Sequence, residues 1–158
     1  MEKTASNYEF DNVDIDILSI LIEDATVPYT EIAKNLIISG GTVHVRMNKL
    51  KEAGVVTGAN LKINPSKLGY DVCAFIGINL EKAHYYNEVL GQLKEIPEIV
   101  EMHYTTGKYS MFAKILCKDT QHLRDVLNDG IQAIEGVQST DTIISLEEDI
   151  NRPVKLQK

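Results

Sequence analysis

The order of hydrophobic patterns between residues 72 and 146 limits the possible folds more than any other feature of this chain. Four stretches rich in β-branched and aromatic residues predict strands, at residues 72–80, 99–105, 109–117 and 137–146. Apolar residues at helical spacing predict helices over residues 85–95 and 120–134. The resulting order, βαββαβ, is that of ferredoxin-like domains.

The first 54 residues have a different pattern, typical of three short helices. Helices are predicted over residues 13–22, 31–36 and 39–51, with Asp11 or Asn12, Thr30 and Ser39 as their respective N-caps. In the third helix the residues Val43, Met47 and Leu50 fall at i, i+4 and i+7 and predict its buried stripe. The second and third helices lie close enough in sequence to form a helix-turn-helix.

Pro65 and Gly69 mark a linker between the two patterns. The sequence therefore predicts an α+β protein of two domains. Residues 1–64 would form a winged or three-helix helix-turn-helix domain that ends in an extended linker strand. Residues 65–158 would form the ferredoxin-like domain.

Charge is distributed unevenly along the chain. The whole sequence has a formal net charge of −7, but residues 30–67 hold six basic residues against two acidic ones, a net charge of +4. A basic patch on an acidic body is typical of a protein that docks one face onto nucleic acid, while the acidic remainder discourages indiscriminate binding. A solvated surface with chance asymmetry is the alternative.

The outward face of the third helix carries the candidate DNA contacts. Arg46 and Lys49 suit phosphates, or guanine in the case of Arg46, while Asn48 suits adenine and Val45 a thymine methyl group. Thr30 and Lys34 on the second helix are candidates to brace the DNA backbone. The full candidate set is Thr30, Lys34, Ser39, Gly41, Thr42, His44, Val45, Arg46, Asn48 and Lys49. A helical module that never touches DNA remains the alternative interpretation.

Four segments make the pattern more specific: TVHVRMNKLKEAGVVTGA, LGYDVCAFIGINL, YTTGKYSMFAKILC and GVQSTDTIISLEE. Together they resemble the Lrp/AsnC family of transcriptional regulators over nearly the whole chain, and in particular its asparagine-responsive members. The resemblance implies a DNA-binding domain followed by a ligand-binding, RAM-type domain. It also implies homodimers that assemble into homo-octamers, a pseudo-palindromic double-stranded operator, and a small amino acid as effector, asparagine or another such as leucine.

A glycine-containing hairpin at residues 104–110 is the candidate effector site, and an ordinary hairpin turn is the alternative that the residues alone favour. Its clustered backbone N–H groups can hold a carboxylate, and the resemblance implies that regulators of this type bind their amino acid here, between subunits. The resemblance also brings in Asp141 and Gln132. Their chemistry suits Asp141 as the acceptor for the ammonium group and Gln132 as the partner for a side-chain amide. The set implied is Tyr104, Thr105, Thr106, Gly107, Lys108, Tyr109, Ser110, Arg124, Gln132, Thr140, Asp141 and Thr142.

The chain departs from the family pattern at the turn between its second and third helices. Ile37 stands where relatives usually have glycine, so that either the turn differs or it is strained. Gly40 stands where relatives often have proline, and the pair Gly40-Gly41 weakens the start of the recognition helix. We expect the first turn to fray in the free protein and to become ordered on DNA.

Other classes of function find little support in the residues. The histidines and the two cysteines have no metal-site spacing, so no metal or cofactor is expected, and Cys73 and Cys117 are expected to be free thiols. No apolar run approaches the ~20 residues of a membrane span, and a cytoplasmic location is expected. An enzyme of the same fold and a DNA-free amino-acid sensor remain as alternatives, although no acid-base pair or nucleophile motif is visible.

Overall fold

The computed structural model describes residues 8–158, and the first seven residues of the predicted 1–64 domain lie outside the described residues. The chain forms two compact units. One contains the residues up to Lys62 together with Ile150–Lys158, and the other contains Ile63–Asp149.

Three helices make up the first unit: α1 (Asn12–Glu23), α2 (Tyr29–Leu36) and α3 (Gly40–Glu52). Asp11 caps α1 in a capping box, because its carboxylate accepts the Asp14 N–H while the Asp14 carboxylate accepts the Asp11 N–H. Ser39 caps α3 as predicted, with Oγ accepting the Thr42 N–H at 3.0 Å. The prediction that Thr30 caps α2 is wrong. Pro28, in an extended conformation, ends the preceding loop, and the helix begins directly after it.

The core of the first unit is formed by apolar side chains from all three helices. The predicted stripe of α3 is confirmed, since Val43, Met47 and Leu50 are all buried, and Ile32 and Ala33 of α2 are buried in the same cluster. Ile17 is the fully buried contribution of α1. The stretch that follows α3, residues 55–64, forms neither helix nor strand.

The turn between α2 and α3 is strained at Ile37. This residue has φ 56° and ψ 45° and is the only non-glycine residue with positive φ among residues 8–158. Its side chain is 93% exposed, so burial does not offset the steric cost. The predicted alternative between a different turn and a strained turn is thus resolved in favour of strain.

The second unit is a four-stranded antiparallel sheet with two helices. In chain order the elements are β1 (Val72–Leu80), α4 (Tyr86–Leu93), β2 (Ile99–Tyr104), β3 (Met111–Cys117), α5 (Thr120–Asp125) and β4 (Val137–Ile144). The strands lie in the order β2-β3-β1-β4, and all three pairings are antiparallel. The predicted βαββαβ order and α+β class are confirmed.

Some element bounds differ from the prediction. A short 3₁₀ turn at Ala83–Tyr85 precedes α4, so the α-helix proper begins at Tyr86. The predicted helix over 120–134 is regular only to Asp125 and continues through Val126–Ile131 as a wider π-type turn. Hydrophobic spacing did not reveal this widening, because Leu123, Ile131 and Ile134 still reach the core.

The two faces of the sheet have different environments. On one face Ala74, Ile76 and Ile78 of β1 pack with Met111, Ala113 and Ile115 of β3 in the core of the unit. On the other face the rings of Phe75 and Phe112 stack at 6.0 Å. Tyr109 lies over Gly77, where an added Cβ would come within 2.6 Å of its ring. Glycine at position 77 therefore allows the hairpin aromatic residue to pack flat on the sheet.

The C-terminal residues return to the first unit, which the sequence did not predict. Lys158 Nζ lies 2.7 Å from an Asp16 carboxylate oxygen on α1. Lys62 Nζ donates to the Asn151 carbonyl at 3.1 Å. Residues 150–158 thus belong with the helical unit by contact, while residue 64 stays a prediction for the end of the DNA-binding domain.

Residues 8–158 contain two cysteines, both reduced. Cys73 and Cys117 are free, as expected, and burial raises the pKa of both thiols, that of Cys117 to about 11. Within this range no group of histidine, cysteine and acidic residues has the arrangement of a metal site. No helix in it is both long enough and apolar enough to cross a bilayer.

Candidate functional site

The outward face of α3 presents a mixed row of apolar and polar side chains. His44, Val45, Asn48 and Lys49 are all exposed, and Val45 is 56% exposed. They lie opposite the buried stripe because a helix turns 100° per residue. Thr30 and Lys34 are exposed on α2, as are Ser39 and Gly41 at the start of α3. The structure therefore leaves most of the predicted DNA-contact set accessible.

Two residues of the predicted DNA-contact set, His44 and Thr42, are oriented by contacts with neighbouring side chains. The His44 ring meets the Tyr29 ring of α2 edge-on, with centroids 4.7 Å apart. The Thr42 hydroxyl lies 2.8 Å from Ser39 Oγ, so the first turn of α3 holds both of its polar side chains together. Both contacts are local and leave the outer edge of α3 open.

Arg46 differs from the rest of the predicted set, because its guanidinium is bound within the protein. Nη1 donates to Asp14 Oδ1 at 2.8 Å and to both carboxylate oxygens of Asp11, at 2.7 and 2.8 Å. Only 25% of the Arg46 side chain is exposed. The bond to Asp14 and the bonds to Asp11 raise the pKa of Arg46 above its usual range.

The two carboxylates that bind Arg46, those of Asp11 and Asp14, form the N-terminal cap of α1. Asp14 is the only fully buried polar residue among the described residues, and its Oδ2 also accepts the Tyr8 hydroxyl at 2.9 Å. Burial, with the bond to Asp14, raises the pKa of Tyr8. The Asp14 N–H, and after it Arg46, lower the pKa of Asp11. We call Tyr8, Asp11, Asp14 and Arg46 the cap cluster.

Sequence reasoning missed the cap cluster. Asp14 lies in the apolar run VDIDILSILI, which also contains Asp16, and the sequence pattern does not show which of the two acids is buried. An acid in such a run, together with an arginine 32 residues further on, signals a buried ion pair only once the packing is known.

The hairpin between β2 and β3 closes at Gly107, which has φ 109°. Thr105 and Ser110 hold its base, because the Thr105 N–H donates to the Ser110 carbonyl and Thr105 Oγ1 donates to the Tyr109 carbonyl. In the described part of the chain, the N–H groups of residues 106–109 make no hydrogen bond. The tip therefore offers clustered donors of the kind that hold an anion.

Lys108 at the tip reaches β4. Its Nζ lies 2.8 Å from Asp141 Oδ2 and 3.0 Å from the Tyr109 hydroxyl. Asp141 raises the pKa of Lys108, and Lys108 in turn lowers the pKa of Asp141. The structure thus places the hairpin next to Asp141, but the ammonium that contacts this carboxylate is that of Lys108.

The other predicted effector residues do not join this group. Gln132 Nε2 donates to Thr140 Oγ1 at 2.7 Å, and Arg124 pairs with its neighbour Asp125 at 3.3 Å. Thr140 and Thr142 pair with Ile78 and Ile76, so they lie on the face opposite Asp141, which pairs with Gly77. Tyr104 is 66% exposed and its ring contacts Tyr86 on the helix side. Within one chain the predicted set therefore divides between the two faces of the sheet.

Comparison with known families matches both units. Residues 10–57 match a winged helix-turn-helix DNA-binding model, and residues 73–154 match the Lrp/AsnC ligand binding domain.

Individual proteins that resemble this chain are transcriptional regulators, in agreement with the two family matches. The chain is 45% identical over 149 residues to the regulatory protein AsnC of Escherichia coli K12, covering 94% of this chain and 98% of that protein. It is 41% identical over 148 residues to the HTH-type transcriptional regulator FL11 of Pyrococcus furiosus, covering 92% and 97% of the two chains. The solved structure of E. coli AsnC, 44% identical, superposes with a TM-score of 0.90 over 94% of this chain and 100% of that one.

A Neisseria meningitidis transcriptional regulator, solved as an L-Met complex, shares the fold at 21% identity. Its TM-score is 0.87, over 91% of this chain and 94% of that one. The two matched domains, their order and these full-length similarities agree, and the chain belongs to the Lrp/AsnC family of transcriptional regulators.

Proposed function

We propose that the protein binds double-stranded DNA with the exposed face of α3 and that a small amino acid, asparagine first among the candidates, changes this binding. The observation that carries the proposal is the division of α3 into two faces. Val43, Met47 and Leu50 hold the helix to the core, while Val45, Asn48 and Lys49 face outward. An α-helix anchored in this way fits the major groove.

The predicted contacts have different tasks in this proposal. Lys49, with Lys34 and Thr30 on α2, neutralises or braces the DNA backbone. Asn48, Val45, His44 and Thr42 read base edges, and Ser39 and Gly41 allow close approach at the start of α3. This division of tasks is supported by the exposure of these residues and by the helix-turn-helix match over residues 10–57.

The proposed assembly is a homodimer that forms a homo-octamer in the cytoplasm. A dimer presents two α3 helices and so fits a pseudo-palindromic operator with half-sites about one DNA turn apart. The similarity to full-length regulators supports this assembly, and the same similarity supports regulation rather than catalysis as the activity.

The proposed effector site is the hairpin tip together with Asp141. The open N–H groups of residues 106–109 suit a carboxylate, and Asp141 suits an ammonium group. An α-amino acid carries both of the charges found in the Lys108–Asp141 pair, so it can exchange with that pair. Gln132, Arg124, Thr140 and Thr142 lie on other surfaces of the unit, where they can complete the site of a neighbouring subunit.

The effector acts through linkage. It shifts the assembly between arrangements that space the α3 helices differently, and only by as much as its affinity differs between those arrangements.

The test is fluorescence-anisotropy titration of the DNA upstream of the protein's own gene, at fixed salt, with and without asparagine. The proposal predicts tight binding that asparagine shifts. Binding that no amino acid in a panel shifts would refute the effector half. Binding to this DNA and to other candidate promoters that never exceeds binding to unrelated DNA would refute the regulator half.

A further inference from the structure

The cap cluster ties the recognition helix to the first helix of the unit. We propose that Asp14 is a positioning residue for DNA recognition, acting through Arg46, and that Arg46 is not among the cations that neutralise DNA phosphates. This inference rests on the proposed function, in which α3 enters the DNA groove. It changes the role that the sequence suggested for Arg46.

The geometry of the guanidinium supports this role. Nη1 donates to three carboxylate oxygens of Asp11 and Asp14 at 2.7–2.8 Å, and both carboxylates are themselves held by the capping box of α1. Asp14 also receives the Tyr8 hydroxyl, so its buried carboxylate has polar partners on both oxygens. A side chain bound in this way has one position rather than many.

The charge of the cluster also argues against a phosphate contact. Arg46 contributes one positive charge, while Asp11 and Asp14 contribute two negative ones when ionised, so the cluster as a whole carries −1. Moving Arg46 onto a phosphate would leave the buried Asp14 with Tyr8 and a backbone N–H but without a cation, which is costly. Lys49, one turn further along α3, is exposed and has no such partner among the described residues.

Fixing Arg46 sets the rotation of α3 about its axis. Thr42 lies four residues before Arg46 and Lys49 three residues after it, so residues that face DNA lie beside it on the helix. A small rotation of α3 moves base-reading side chains out of hydrogen-bonding distance, while a flexible lysine still finds a phosphate. Loss of the ion pair should therefore reduce specific recognition more than general affinity for DNA.

The test uses a duplex selected from a random pool by the wild-type protein, with an unrelated duplex for comparison. Binding is measured as a function of salt for Arg46→Gln, Asp14→Asn and Lys49→Gln, at a temperature where circular dichroism shows each variant fully folded. Asp16→Asn is the matched control for Asp14→Asn, since it changes an acid on the same helix that binds Lys158 instead of Arg46. A double variant, Arg46→Gln with Asp14→Asn, removes both charges of the ion pair, so that no buried carboxylate is left without a cation, and it serves if a single variant does not fold.

We expect the variants to differ in two quantities: the dependence of binding on salt, and the affinity for the selected duplex relative to the unrelated one. Lys49→Gln makes the negative slope of log K against log salt shallower by about 0.9, the effect of one lost phosphate contact. Arg46→Gln, Asp14→Asn and the double variant keep the wild-type slope and the wild-type affinity for the unrelated duplex, but they lose about tenfold in affinity for the selected duplex. Asp16→Asn binds as the wild type does.

Two results would overturn the assignment. A slope that becomes shallower by about 0.9 in Arg46→Gln or in the double variant would make Arg46 a phosphate contact. Unchanged specificity in the folded Asp14→Asn and double variants would reduce the cluster to a merely stabilising role. A random pool from which the wild type selects no duplex would instead refute the proposed function itself, and this assignment with it.

Discussion

Asp14 and Arg46 are joined by an ion pair of 2.8 Å that links the first helix of the DNA-binding unit to its recognition helix. Asp14 is fully buried, and Arg46 lies on the side of α3 between its core stripe and its exposed face. A residue that the sequence alone assigned to DNA thus has a partner inside the protein.

Removing the cation of this pair should destabilise the helical unit. Arg46→Ala leaves the buried Asp14 carboxylate without its counter-charge, and we expect a loss of about 2–4 kcal/mol in the free energy of unfolding. Lys49→Ala, on the same helix but exposed, should change it by less than about 0.5 kcal/mol. Urea denaturation followed by circular dichroism compares the two, and equal effects would contradict the packing described.

Relieving the strained turn should stabilise the protein. Ile37→Gly removes the steric cost of a β-branched residue in the left-handed region, and after the added flexibility of glycine in the unfolded chain we expect a gain of up to about 1 kcal/mol. Ile37→Ala is the matched control, because it shortens the exposed side chain but keeps the Cβ that causes the strain. Thermal unfolding of both variants and of the wild type measures the change in stability that each substitution causes. A gain in the alanine variant as large as in the glycine variant would assign the effect to the exposed apolar side chain instead.

Stiffening the start of α3 should stabilise the free protein as well. A Cβ added at Gly40 meets nothing within 4 Å, so Gly40→Ala should add about 0.5–1 kcal/mol through helix propensity. If the first turn frays in the free wild-type protein, circular dichroism should show helix gain when DNA binds, and a smaller gain in Gly40→Ala. Equal helix content with and without DNA in the wild type would rule out the fraying.

The hairpin ion pair should be visible in the titration of Asp141. Because Lys108 lowers the pKa of this carboxyl below its ordinary value of 3.8, the pair contributes stability above the ordinary pKa and loses it as the pH falls through the lowered one. Carbon-detected NMR should find Asp141 titrating below 3.8 in the wild type and closer to 3.8 in Lys108→Met. An unchanged pKa in the variant would mean that the pair does not form in solution.

The order of elements could be predicted from sequence because each segment of the second unit has its own hydrophobic period. The alternation in β1 and β3 and the helical spacing of α4 predict elements that the structure shows to within a few residues, whereas α5 is α-helical only to Asp125. The core stripe of α3 follows from the same reasoning, since Val43, Met47 and Leu50 have no other way to be buried together.

Features that depend on contacts between residues far apart in the sequence could not be predicted. The partners of Arg46 lie 32 and 35 residues away, and a positive charge in a recognition helix looks the same whether it faces DNA or a buried acid. The return of residues 150–158 to the first unit is of the same kind. The division of Thr140 and Asp141 between opposite faces, by contrast, follows from strand alternation once the bounds of β4 are known.

Site-specific crosslinking from α3 shows directly whether this helix meets DNA. A photoreactive benzoylphenylalanine in place of Val45, on the exposed face, should crosslink to a duplex selected by the wild-type protein. The same residue in place of Glu23, exposed at the end of α1, should not. Crosslinking from position 23 but not from position 45, with both variants folded and bound to the duplex, would show that DNA meets another surface of the protein.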